Sequence, residues 1–245
     1  MTTGNEYMRA SRPGVQPPSA QSLGVPYPPL ELPIPEGVRM IALPKPKDFP
    51  LHNLDFKELI EKRRTLRKYT EEAISLQELA FFLWACQGVE RITDKPVTFR
   101  TVPSAGSRHA FETYILVNRV DGLQPGLYRY AAIEHTLLEV TLDKEINPIL
   151  TQACLNQNQI ATSAVTFFWM AVVERMTWRY SERGYRYLFL DAGHVCQNLY
   201  LAAEATGCGV CAIGAFDDDL LNAAFHVDGE TQFVLYGATL GRRGE

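Results

Sequence analysis

The sequence predicts an α+β fold, and three observations lead there. Helix-like and strand-like stretches interleave without the strict strand–helix–strand alternation of a doubly wound sheet. Gly126–Tyr130 and Thr136–Val140 read as a hairpin around a polar turn. No G-x-G-x-x-G follows a strand, which argues against a parallel dinucleotide-binding domain.

Residues 1–54 come first as a proline-rich arm, with 11 of the chain's 15 prolines in its first 50 residues. Proline fixes φ and removes an amide donor, so this stretch is expected to be extended, neither ordinary helix nor central strand. Its apolar residues Leu30, Leu32, Ile34, Val38, Ile41 and Leu43 recur among the prolines. That alternation suits an arm lying along a surface groove of the same or a neighbouring subunit.

The globular part, 55–245, opens at Asp55, an N-cap for a helix to about Lys68. Ser75 and Glu78 make a capping box for a second helix that stops at Gly88. Phe111–Asn118 alternates as a strand ahead of the hairpin, and a helix follows around Lys144–Asn156. Val165–Glu174 is a buried-type strand. Tyr185–Thr206 has the length of a long, mostly buried helix, closed by Gly207. A short strand at Val210–Ile213, a helix at Asp217–Phe225 and a strand at Phe233–Leu240 complete the order.

Composition sets outer limits. A chain of 245 residues with 46% hydrophobic content can bury a substantial core. A net charge of -4 argues against nucleic acid as the partner. The longest apolar run, Ala164–Val173, is strand-sized, so no membrane span is expected. No basic segment followed by an apolar stretch marks a signal peptide. Five cysteines form a sparse, odd set that suits a reducing cytoplasm, the expected location.

Two stretches carry candidate chemistry. Arg63-Arg64-Thr65-Leu66-Arg67 ends the first helix, where Arg63 and Arg67 would share a face and fork onto a phosphate. The bland alternative is a solvated basic helix end. Pro103-Ser104-Ala105-Gly106-Ser107 precedes a strand and lets backbone and hydroxyls approach a flat ligand, or is simply a turn.

In this order, R-R-T-x-R and P-S-A-G-S-R-H resemble the nitroreductase-like FMN-dependent flavoproteins, and among them the SagB-type dehydrogenase branch. L-W-A-C-Q-G at 83–88, P-G-L-Y-R-Y at 125–130 and W-R-Y-S-E-R-G-Y-R-Y at 178–187 continue the match. D-A-G-H at 191–194, A-I-G-A-F-D-D at 212–218 and T-L-G-R-R at 239–243 extend it to nearly the whole globular part. The resemblance implies a central, mostly antiparallel sheet flanked by helices, in an intertwined homodimer whose flavin pocket is built by two chains. It implies FMN as cofactor, with NAD(P)H as a transient co-substrate.

By the same resemblance, Arg63, Arg64 and Thr65 match phosphate- and ribityl-binding positions, and Arg67 the cation beside flavin N1 and O2. Pro103, Ser104, Ala105 and Ser107 match the loop at the ribityl chain and pyrimidine ring, although many relatives carry Asn where Ser107 stands. Ile213, Gly214 and Ala215 match the segment whose amide faces N5, and Arg242 and Arg243 the terminal cations on the phosphate. Arg179-Tyr180 holds the place of a catalytic Lys-Tyr pair. A guanidinium stays charged, so Arg179 can orient an anion but not act as a base, which leaves proton transfer to Tyr180.

The expected activity is hydride transfer between flavin N5 and a small organic or peptide-borne substrate. The alternatives are an NAD(P)H-dependent nitro or quinone reductase and a non-catalytic scaffold subunit. Other signals are set aside. Cys208-x-x-Cys211 lacks a second pair and reads as two packed thiols, Asp191 and His194 lack a third ligand, and Asp217-Asp218-Asp219 caps the next helix.

Overall fold

The computed structural model describes residues 2–51 and 55–244. The arm begins with a helix, α1 (Thr3–Ala10), and this corrects the expectation of a wholly extended segment. The first proline is Pro13, so nothing prevents the preceding residues from coiling, and the Thr2 hydroxyl caps the helix by accepting from the Asn5 amide. After an irregular stretch comes β1 (Met40–Ala42).

The first domain helix, α2 (Phe56–Lys62), has Asp55 as its N-cap but ends at Arg63, short of the expected Lys68. Arg63 and Arg67 therefore do not share a helix face. Sheet pairing overrides helix propensity here. Next come α3 (Leu76–Gln87) with the expected capping box, and a small hairpin of β2 (Val89–Ile92) and β3 (Thr98–Arg100) that the sequence reading missed.

The strands β4 (Phe111–Val117), β5 (Gly126–Ala131) and β6 (Thr136–Thr141) lie where expected. Two short helices, α4 (Ile146–Ala153) and α5 (Asn158–Thr162), lead into β7 (Val165–Val172), buried along its whole length. A helix then starts at once, α6 (Val173–Tyr180), so the strand stops two residues short of the expected Glu174. The long helix α7 (Gly184–Glu204), β8 (Cys208–Ile213), α8 (Asp218–Ala224) and β9 (Gln232–Arg242) follow. Asp217 is the N-cap of α8 and accepts from the Leu220 amide.

Seven strands make one sheet in the order β1-β6-β5-β4-β7-β9-β8, with every neighbouring pair antiparallel. Beyond β8, Thr65 forms a parallel bridge with Val210, and the Leu66 amide donates to the Val210 carbonyl at 2.9 Å. Close approach at this edge needs Gly209, because a Cβ there would lie 2.1 Å from Leu66 Cδ1. Side chains alternate between the two sheet faces. One face packs Phe82, Ile115, Phe167, Trp169, Leu188 and Leu199 under α3 and α7. The other packs Leu116, Leu127, Phe168, Leu150, Ile160 and Leu221 under α4, α5 and α8. Cys208 and Cys211 fall on opposite faces, both buried and free.

The arm lies along its own domain. Its backbone is already satisfied there. Trp178 Nε1 donates to the Val25 carbonyl, Arg175 Nε to Pro29, and Arg129 Nη2 to Leu32 and Pro33. In return the Leu32 amide donates to Glu112, itself paired with Arg175 at 2.7 Å in a site where both are nearly inaccessible. Among the described residues no helix is long and apolar enough to cross a membrane.

Candidate functional site

The predicted residues gather at two ends of α7. At its N-terminal half, Asp191 is buried and faces the loop before β4. The Ser104 hydroxyl donates to its carboxylate at 2.6 Å, and the Ala105 amide donates at 3.2 Å. Burial raises the Asp191 pKa, and these two donors pull it back toward the ionised form. Ser104 Oγ also accepts from the His109 amide, which closes the loop on itself.

Three residues of left-handed backbone shape this loop: Gly106, Ser107 and His109 all have positive φ. Glycine is needed at 106 for a second reason. A Cβ there would stand 2.5 Å from the Tyr180 hydroxyl and 2.9 Å from Arg179 Cδ. The Pro-Ser-Ala-Gly-Ser loop and the Arg179-Tyr180 pair, singled out separately in the sequence, are therefore in contact. Tyr180 is held edge-on to Tyr187 at 4.6 Å, and the Arg179 guanidinium sits over the Tyr180 ring.

Residues outside the predicted set brace this region. The Arg108 guanidinium lies over both Tyr27 of the arm and Trp178, at 5.4 and 5.2 Å, and Tyr27 packs on Trp178 at 4.3 Å. Arg108 Nε donates to the Gly106 carbonyl. His109, buried beside Arg100 and Arg108, is driven down to about 3 by burial first and by those cations second, so it is neutral. No local motif marks Tyr27, because its partners are distant in sequence.

The second group surrounds Tyr200, nine residues along α7 and so about 14 Å from Asp191 at 1.5 Å per residue. The Tyr200 hydroxyl accepts from the Ala212 amide at 3.0 Å and pairs with the Thr65 hydroxyl at 3.1 Å. Arg63 lies over the Tyr200 ring at 5.3 Å. Ile213 is buried at the end of β8, and Gly214 and Ala215 are exposed beyond it. Arg67 is exposed near Cys211 and opposes the burial that raises its thiol pKa. Tyr200 sits in a helical pattern with no signal of its own, so only the tertiary contacts reveal it.

The cations of this group are not equivalent. Arg64 Nη1 folds back on the carbonyls of Glu61 and Arg63. Arg242 pairs with Glu78 at 2.7 Å, and Arg243 pairs with Glu204. Among the described residues, Arg63 and Arg67 have no carboxylate within 4 Å. A phosphate would therefore meet Arg63, Arg67 and the Thr65 hydroxyl at least cost, whereas Arg242 and Arg243 would have to leave existing partners. Room for a flat ring exists at Gly214, where a Cβ would meet only Tyr236, at 3.6 Å. The donor set fits FMN: unpaired cations and a hydroxyl at one end, open backbone at the other. No cluster of three or more metal-ligating side chains occurs among the described residues.

The model of the nitroreductase family matches residues 60–242. A protein of Methanocaldococcus jannaschii named as a nitroreductase is 37% identical over 69% of this chain and 83% of its own length. The trifolitoxin-processing protein TfxB of Rhizobium leguminosarum bv. trifolii is 31% identical over 44% of this chain and 30% of its own. Among solved structures, a nitroreductase from Anabaena variabilis superposes with a TM-score of 0.64 at 31% identity. The match covers 77% of this chain and 38% of the Anabaena one. The chain thus spans most of the archaeal relative but well under half of the other two.

Proposed function

This chain belongs to the nitroreductase family of FMN-dependent oxidoreductases, and we propose that it is a SagB-like dehydrogenase working as a homodimer on a small organic or peptide-borne substrate. The observation that carries the reading is the division of the candidate site between two ends of one helix. Just before Asp191 the outward face of α7 carries two exposed apolar side chains, Phe189 at 62% and Leu190 at 59%. A twofold axis across the middle of this helix would bring the Asp191 end of one chain to the Tyr200 end of its copy. FMN, when bound, supplies an N5 that accepts or gives hydride.

The chain's own residues divide the remaining work. Arg63, Arg67 and Thr65 hold the phosphate side, and the Ser104–Ser107 loop of the other chain meets the ring side. Arg179 orients an anionic group of the substrate, and the Tyr180 hydroxyl relays the proton that leaves as hydride departs. TfxB, a toxin-processing protein by name, favours the dehydrogenase branch; the archaeal relative's name favours an NAD(P)H-dependent reductase.

The deciding experiment is a spectrum of the purified protein followed by anaerobic NADH and NADPH, with mass measured in solution. Flavin absorbance, a dimeric mass and no rapid bleaching by either nicotinamide support the dehydrogenase. Rapid bleaching makes it a reductase with NAD(P)H as co-substrate. A colourless chain that takes up no added FMN is a scaffold, and a monomer that binds FMN sinks the two-chain site.

A further inference from the structure

A cavity lies on the other side of the sheet from α7. It encloses about 790 Å³ between β5, β6, α4, α8 and the arm, within the roughly 300–1,000 Å³ range of small-ligand pockets. Its floor is buried and mostly apolar, formed by Leu127, Leu138, Ile146 and Phe225. Its mouth is exposed at Pro35, Val140, Ile149 and Leu220. None of these residues belongs to either half of the flavin site.

One cation breaks the apolar floor. Arg129 is 5% exposed and lines the cavity. Its Nη2 donates to the Leu32 and Pro33 carbonyls, and its charge has no carboxylate within 4 Å among the described residues. The nearby Glu112 is already committed to Arg175. Beside it, Tyr114 contributes a phenol whose pKa burial raises, so it remains a neutral hydrogen-bonding group. A buried guanidinium without an acid is costly to keep. A cavity that offers it open space and an apolar body otherwise is shaped for a guest carrying one negative charge.

The rim narrows the choice. Glu139 and Asp143 lie at the wall, and Glu139 is offset by Arg39 at 3.3 Å. A polyanion would meet these carboxylates before reaching Arg129. A guest with one anionic head and an uncharged tail would not.

We propose that this cavity binds a monocarboxylic acid with an apolar body, its carboxylate on Arg129 and Tyr114 and its tail against Leu127, Leu138 and Phe225. The site is independent of the flavin reading, since it shares no residue with it.

The test is calorimetric titration of the FMN-loaded protein with dodecanoate and, separately, dodecanol, both below their aggregation limits. Expected is one dodecanoate per chain, bound at least tenfold more tightly than the alcohol. Arg129→Met should remove that preference. Leu220→Trp, which fills the exposed mouth and touches no arm contact, should abolish both. Equal affinity for acid and alcohol overturns the anion assignment. No binding, binding indifferent to Leu220→Trp, or a change of oligomeric state caused by that substitution overturns the site. If Arg129→Met fails to fold, the acid–alcohol comparison and Leu220→Trp still decide it.

Discussion

The carboxylate of Asp191 holds the hydroxyl of Ser104 at 2.6 Å, and through it the loop that carries Gly106 against Tyr180. Hydrogen bonds to a charged acceptor contribute about 1.5–3 kcal/mol each. Asp191→Ala should therefore lower the melting temperature and cut turnover at least tenfold. Asp191→Asn, which keeps an acceptor, should fall between the two. Thermal unfolding and steady-state rates on the same preparations check this.

Gly106→Ala introduces a side chain at φ +57°, into the space of the Tyr180 hydroxyl. The backbone alone costs roughly 1–2 kcal/mol. The expected result is a folded protein that retains its flavin spectrum and loses most of its activity. Loss of FMN with activity per bound flavin unchanged would contradict the placement of Tyr180.

Tyr27→Ala removes one face of the aromatic clamp on Arg108, and Tyr27→Phe retains it. Cation–aromatic contacts contribute about 0.5–2 kcal/mol. The alanine variant should expose Trp178, read as a red shift in tryptophan emission, and the phenylalanine variant should match the parent.

Glu31 is pushed up to about 7, by burial first and by Glu112 second; the Ala132 amide and Arg100 pull it down and Glu134 adds to the rise. Its folded pKa lies above its unfolded value, so folding favours the protonated form. The stability this gives is complete below about pH 4.5 and is lost as pH rises through about 7. At about 1.4 kcal/mol per pKa unit the loss is at most about 3.5 kcal/mol. Glu31→Gln, which can still accept from Ala132, should flatten the fall in melting temperature between pH 5 and pH 8. A parent whose stability rises across that interval would reverse the sign.

Tyr200→Phe deletes the hydroxyl shared by Thr65 and the Ala212 amide. It should weaken FMN binding by about tenfold, measured by flavin fluorescence quenching, at a stability cost of about 1 kcal/mol.

Much of this arrangement was legible in the residues. The capping box at Ser75, the hairpin at 126–141 and the long helix after Tyr185 are local patterns, and each is where the sequence places it. What escaped depends on partners far along the chain. The first domain helix stops at Lys62 because β8, about 145 residues later, offers Leu66 a backbone acceptor. Both halves of the candidate site were marked by motif, yet Tyr200, Asp191 and Tyr27 owe their roles to geometry that no spacing encodes. The helix at Thr3–Ala10 was hidden by averaging the proline count over 50 residues, when the first dozen contain none.

The arm also sets an order of events during synthesis. Val25 receives its hydrogen bond from a tryptophan 153 residues further on, and Pro29 from an arginine 146 residues further on. The arm is therefore made well before its partners and docks only after β7 and α6 have emerged. Eleven prolines, from Pro13 on, keep the stretch after α1 from coiling or pairing wrongly while it waits. Its delay leaves the β6 edge, later covered by β1, open to other chains until the arm arrives. The interval between synthesis of the arm and its docking is thus when the β6 edge is most exposed to aggregation.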